Sequence, residues 1–338
     1  MTQLRDLLDL RELLATTVPF ALPLTRTFRA LDVREGVLFP GPSGWGEFAP
    51  FDDYSDEAAA RWLDAALEAA FGEQPAAVRD SILVNAIVPM CAPEDAALMT
   101  REAVARGCTT IKVKVGSDDL AEDVSRVAAI REVLGGSGAI RVDANAAWFL
   151  EDAVVALREL AQFDLQYAEQ PCATADLRAL RSRTSVRLAV DEGIRHSADL
   201  DEVARGLADI ADVAILKPQT LGGGAATMRL VERLADCADL PVVISGSLDS
   251  SVGLSAVVAA AAAVPNLPFA CGLGTGALFA DDVVDTPLIP VGGRIAVGSV
   301  APDEAALARA HARVTPDRID YWRQRLTDAW AARERLAR

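Results

Sequence analysis

The chain has 338 residues, 51% hydrophobic and 24% charged, with a formal net charge of −16 and a pI near 4.6. That balance allows a large core and excludes a phosphate-backbone binder, which needs a basic footprint. The most apolar run, residues 252–265, is mostly alanine and falls short of the roughly 20 residues that cross a bilayer, so it reads as a buried helix and no membrane partner is expected.

In chain order, the opening MTQLRDLLDLRELL carries acids throughout and lacks the basic start and apolar stretch of a secretory signal, so a cytoplasmic location is expected. FRALDVREGVLFPGPSGWGEFAPF then reads as two strands joined by a Pro/Gly turn, followed by a helix from near Ser55. From about residue 82, β-rich runs alternate with amphipathic stretches of helical length, the pattern of a parallel sheet of βα units. Eight strands are expected, at 81–89, 110–115, 139–145, 165–170, 187–192, 212–218, 241–247 and 269–274. DTPLIPVGGRIAVGSV is short and β-like, and the Arg-rich tail is helical.

These elements predict an α/β fold, a modified TIM barrel of (β/α)7β type over residues 82–280. An α+β capping domain covers 1–81 and is completed by the tail 281–338 packing back on it. Barrels of this class take about 250 residues, so the length suits one barrel and a smaller unit.

Five scattered cysteines form no CxxC pair, and the only histidines are His196 and His311, which leaves little material for a zinc site or a Ser-His-Asp triad. The lysines are more telling. Of 33 basic residues only Lys112, Lys114 and Lys217 are lysine; the other 30 are arginine. Guanidinium does not lose its proton in a protein, whereas a desolvated ammonium can. Keeping Lys in two short motifs of an otherwise Arg-based chain points to proton transfer there.

Barrel enzymes place catalytic groups at the C-terminal ends of their strands. Lys114, Asp143, Glu169, Asp191 and Lys217 fall on or near the ends of strands two to six, 29, 26, 22 and 26 residues apart, so that one group per strand faces one mouth. Three carboxylates on adjacent strands make a hard, all-oxygen site suited to Mg2+, with Asp143, Glu169 and Asp191 as ligands. In IKVKV the period of two sends Lys112 and Lys114 to one face and the apolar residues to the other, so both lysines enter the barrel. Burial beside a cation depresses an ammonium pKa enough for it to act as a base near neutral pH. A base beside a cation that chelates a carboxylate is the arrangement for removing an α-proton and forming an enediolate.

The motifs KVKV, RVDANAAW, YAEQP, AVDEG and ILKP, taken in order, resemble those of the enolase superfamily in its muconate-lactonising branch, over nearly the whole chain. Within that branch, GWGEFAPFDDYS, ILKPQTLGGG and VISGSLDSSVGLS are most similar to the o-succinylbenzoate synthases of menaquinone biosynthesis. The resemblance implies Mg2+-dependent syn dehydration of a small carboxylate, 2-succinyl-6-hydroxy-2,4-cyclohexadiene-1-carboxylate, to 2-succinylbenzoate. It implies that Lys114 takes the α-proton and then protonates the departing hydroxyl, that Lys217 stabilises the enediolate, and that Lys112 helps to hold the carboxylate. Asn145 would border the metal site.

For the succinyl carboxylate, backbone N–H groups around Ser245 and Gly246, with the Gly272 and Gly274 turn, are candidates; a purely structural turn accounts for them equally well. The loop Leu22–Thr27 and the GEFAPF stretch are expected to close over the ligand. Two positions depart from the branch: Ala146, where some relatives carry a basic residue, and Gly193, where many carry Ser. The core residues also suit an N-acylamino acid racemase or dipeptide epimerase, which uses two lysines for 1,1-proton transfer. Oligomeric state is left open.

Overall fold

The computed structural model describes residues 9–195, 197, 199–238 and 240–336. The first eight residues and His196 lie outside that set, and His311 spends its ring nitrogen on the Pro19 carbonyl, 2.8 Å away.

Three antiparallel strands open the chain, β1 (Val18–Phe28), β2 (Leu31–Gly41) and β3 (Gly44–Phe48), in the order β1-β2-β3. The sequence reading found β2 and β3 and missed β1, whose Pro19 and Pro23 argue against a strand. As the edge of the sheet, β1 tolerates prolines that a central strand would not. Residues 22–27, expected as a loop, belong to this strand. Its pairing with β2 is interrupted between Pro23 and Phe28, and there it leans on the barrel: Leu24 bridges to Phe279 and the Thr25 hydroxyl donates to the Leu278 carbonyl.

Helix Asp56–Phe71 follows, with the Ser55 side chain accepting from the Ala58 N–H as N-cap and acids in the first turn, as the start of a helix favours. It buries Trp62, Leu63 and Ala66 against the sheet and against helix Pro316–Leu336 near the C-terminus. Arg325 and Arg333 of that last helix pair with Asp56 and Asp64 at 2.5 Å, and Trp322 meets Phe48 edge-on.

The barrel begins with a division that the sequence did not announce. Expected strand 81–89 splits into β4 (Ser81–Leu83), which pairs antiparallel with β12 (Arg294–Ala296), and β5 (Ala86–Val88), the first strand of the parallel sheet. Then come β6 (Thr110–Lys114), β7 (Ala139–Asp143), β8 (Leu165–Glu169), β9 (Leu188–Val190), β10 (Val213–Leu216) and β11 (Val242–Ile244), seven parallel strands in sequence order from β5 to β11. Residues 269–274 form no full strand. They still close the ring, because Cys271 bridges to Val84 on one side and Gly272 to Ser245 on the other.

The fold is thus a modified TIM barrel with an N-terminal cap. Alternation along each strand sends Ile111, Val113, Ile140 and Val142 outward to the surrounding helices, while Tyr167, Ala189, Val213, Ile215 and Val243 fill the interior. The alanine-rich run forms helix Ser251–Ala263, nearly all of it buried, and among the described residues no helix is long and apolar enough to cross a membrane.

Candidate functional site

Parallel register sets the charged side of the barrel mouth. Lys114 pairs with Asp143 and Asp143 with Glu169 across β6, β7 and β8, so three ionisable side chains stand in one row. Asp191 follows the last residue of β9, its backbone N–H held by the Gln170 side chain at 3.2 Å, and Lys217 follows β10. All three carboxylates are about 1% exposed. The structure therefore brings together every acid and lysine that the sequence singled out.

The ammonium groups sit directly on the acids. Lys112 Nζ lies 2.8 Å from Asp143 Oδ2 and 2.6 Å from Glu169 Oε1; Lys114 Nζ is 2.6 Å from the same Asp143 oxygen; Lys217 Nζ is 2.6 Å from Asp191 Oδ2. With β7, β8 and β9 between their strands, β6 and β10 stand across the eight-membered ring from each other, so Lys114 and Lys217 approach the acids from opposite sides.

Burial and neighbours split the two lysines of β6. Burial lowers the Lys114 pKa, and Asp143 does not fully offset it with Lys112 alongside. For Lys112 burial works the same way, but Asp143 and Glu169 together outweigh it and raise its pKa. The expectation of a depressed ammonium thus applies to Lys114 and is reversed for Lys112, which has two acids rather than one. Burial also opposes ionisation of Asp143, but Lys112 and Lys114 hold its pKa below the usual carboxylate range. Glu169, burdened by burial and by Asp143, is pushed up to about 7.

Three buried carboxylates offer an all-oxygen donor set that suits a hard divalent cation, and Asp191 Oδ1 is buried with no hydrogen-bond partner. Among the described residues the acids do not converge as a preformed ligand cluster, because Lys112 spans Asp143 and Glu169. The donor chemistry fits the metal, and a cation would replace ammonium as the counter-charge.

The cleft above this row encloses about 520 Å³ including its open mouth, within the range of small-ligand sites. Asn145, Ser245, Gly246, Gly272 and Gly274 line it, as do Phe28, Arg29 and Phe51 of the cap. Phe51, the last residue of the GEFAPF stretch, lines the cleft, but the expected 22–27 segment does not: Leu22 is fully buried, and Phe28 and Arg29 face the cleft instead. Asn145 has φ +47°, a left-handed conformation that asparagine tolerates, and its N–H donates to Asp143 Oδ1 at 3.0 Å.

Three of the backbone donors expected for a second carboxylate are already committed. Ser245 N–H donates to Leu216 O, Gly246 N–H to Gly272 O and Gly272 N–H to Ile244 O, because this segment closes the barrel. Close approach also explains Gly272: a Cβ there would lie 2.6 Å from Ser245 Oγ. The sequence reading missed the groups that remain. Ser247 Oγ and Thr275 Oγ1 are buried, line the cleft and have no hydrogen-bond partner. Short side chains in glycine-rich turns carry no periodic signal that would single them out.

Gly193 faces Thr174; a Cβ there would fall 2.8 Å from Thr174 Cγ2, so a serine at this position would require a shift in this chain.

Residues 94–304 match the enolase C-terminal domain-like family and residues 19–70 the enolase N-terminal domain-like family. The chain is 47% identical over 322 residues to an o-succinylbenzoate synthase of Thermobifida fusca (strain YX), covering 94% of this chain and 97% of that one. It is 47% identical over 294 residues to an o-succinylbenzoate synthase of Mycolicibacterium smegmatis, covering 85% and 87%. Among solved structures, the muconate lactonizing enzyme from Pseudomonas fluorescens superposes with a TM-score of 0.76 at 21% identity, over 87% of this chain and 97% of that one. The L-Ala-D/L-Glu epimerase from Bacillus subtilis gives 0.71 at 21% identity over 85% and 96%. By sequence similarity along almost its full length, the chain belongs to the o-succinylbenzoate synthase family of the enolase superfamily.

Proposed function

We propose that this protein is an o-succinylbenzoate synthase, eliminating water from 2-succinyl-6-hydroxy-2,4-cyclohexadiene-1-carboxylate to give 2-succinylbenzoate in menaquinone biosynthesis. One observation carries the reading: in a chain 47% identical to a named o-succinylbenzoate synthase, Lys114 and Lys217 flank a row of three buried carboxylates from opposite sides.

Asp143, Glu169 and Asp191 would hold Mg2+, which supplies positive charge to the substrate carboxylate. Lys114, the lysine with the lowered pKa, removes the α-proton as its neutral amine. Negative charge then spreads onto the carboxylate oxygens, and Lys217 stabilises it electrostatically from the far side. Lys112, with its raised pKa, stays charged and helps to hold the carboxylate. The proton on Lys114 passes to the departing hydroxyl on the same face, so H and OH leave together as water and the ring becomes aromatic. At the other end of the cleft, the Ser247 and Thr275 hydroxyls are the donors for the succinyl carboxylate, with Asn145 beside the metal and Ser245, Gly246 and Gly272 shaping the wall.

The opposed lysines also suit racemisation of an N-acylamino acid, since each can serve one face of an α-carbon. A Mg2+-supplemented assay following loss of diene absorbance, run beside a racemisation assay, separates the two. Rapid, EDTA-sensitive aromatisation is expected; racemisation with negligible dehydration would overturn the synthase reading and leave the site unchanged.

A further inference from the structure

Polar side chains run in unbroken contact from the cap to Lys114. The Tyr54 hydroxyl, next to Trp62 in the cap core, meets Arg195 Nη1 at 2.6 Å. Arg195, only 7% exposed, donates through Nη2 to Glu192 Oε1 at 2.6 Å. The same oxygen accepts from Asn145 Nδ2 at 3.0 Å, and Asn145 Oδ1 accepts from Lys114 Nζ. Neither Glu192 nor Arg195 lines the cleft.

A neutral primary amine has two N–H bonds and one lone pair. Lys114 Nζ meets two acceptors, Asp143 Oδ2 and Asn145 Oδ1; a cation on Asp143 would weaken the first, which leaves the Asn145 oxygen to fix one N–H and so restrict where the lone pair points. This works only while the Asn145 amide turns its oxygen to the lysine. Asn145 is exposed, and water serves either end of an amide equally well. A carboxylate does not, because it only accepts: Glu192 selects the NH2 end and so turns the oxygen to Lys114. A flipped amide would present N–H to the lone pair and compete with the substrate for it.

We propose that Arg195 is a positioning residue of the reaction, acting through Glu192 and the Asn145 amide to aim the Lys114 lone pair at the substrate α-hydrogen. The inference rests on Lys114 being the base.

A double-mutant cycle on the Mg2+-loaded enzyme tests it. Arg195→Gln is expected to lower kcat roughly tenfold with KM little changed. Arg195→Gln combined with Asn145→Ala should be no worse than Asn145→Ala alone. Arg195 Nε also lies 3.4 Å from Asp191 Oδ2, and an effect carried by that contact would instead multiply with the Asn145 loss. Glu192→Gln, close to isosteric, should reproduce the kcat loss, and it decides the matter if Arg195→Gln fails to fold.

Because the chain has three lysines, [13Cε]-lysine labelling gives three side-chain resonances. In the metal-free protein Arg195→Gln, or Glu192→Gln in its place, should move the Lys114 resonance most. Multiplied losses in the cycle, or an unmoved Lys114 resonance, would overturn the proposal. Wild-type protein inactive on the cyclohexadiene substrate would instead sink the functional reading, while the resonance shift would still report the coupling.

Discussion

The two walls of the cleft are built on different principles. From β6 to β10, lysines stand at either end of a row of three carboxylates, each lysine touching an acid at 2.6 Å, and the Lys114–Asp143–Glu169 row follows from strand register. The opposite wall, built from residues 245–248, 272, 274 and 275, presents hydroxyls and backbone, and the N–H groups of Ser245, Gly246 and Gly272 in it are spent on closing the barrel. The charged wall suits a developing anion and the neutral wall suits recognition of a distal group. Loss of a charge should therefore act on kcat, and loss of a hydroxyl on KM.

The largest effect expected is from Lys114→Ala, which removes the base and should cut kcat on the order of a thousandfold or more. Lys217→Ala, removing electrostatic stabilisation alone, should cost about a hundredfold or more. Steady-state dehydration kinetics check both, and retained turnover in Lys114→Ala would overturn its role. EDTA should abolish turnover and excess Mg2+ restore it. A lasting rate in EDTA would show that the carboxylate row works with lysine counter-charges alone.

The neutral wall should respond more gently. Each hydroxyl hydrogen bond contributes about 1 kcal/mol net, so Ser247→Ala and Thr275→Val should each raise KM several-fold with kcat nearly constant. If a substrate analogue lacking the succinyl carboxylate showed the same KM change, these hydroxyls would not be its partners.

The same contrast governs what the sequence disclosed. Groups fixed by register were legible, because a period of two along β6 and one acid per βα unit are visible in the letters: Lys112, Lys114, Asp143, Glu169, Asp191 and Lys217 all meet in one mouth. Groups fixed by long-range closure were not. β1 was hidden by prolines that only an edge strand tolerates. The split of 81–89 depends on β12, more than 200 residues away in sequence. The committed N–H groups of Ser245, Gly246 and Gly272 depend on an eighth strand reduced to single bridges. Glu192 stands in the AVDEG motif without an assigned role, and Arg195 shows no pattern, until the fold turns them toward Asn145.

Behind the neutral wall lies an acid whose titration separates the walls further. Glu47 accepts from the Ser250 N–H at 3.2 Å and the Gly253 N–H at 3.1 Å, and from the Ser250 hydroxyl. Burial, reinforced by Asp249 and only partly offset by Arg34, pushes its pKa up to about 8. A folded pKa above the unfolded value means that this group favours folding most below the ordinary carboxyl range. That contribution is lost as pH rises through about 8. Wild-type protein should therefore lose thermal stability between pH 5.5 and 8.5 relative to Glu47→Gln, which cannot ionise, and the gap in Tm should widen by a few °C over that interval. Parallel melting curves for the two proteins would place the proton elsewhere in the buried Glu47–Asp249 pair. The neutral wall would then be backed by a charged carboxylate, much like the wall it faces.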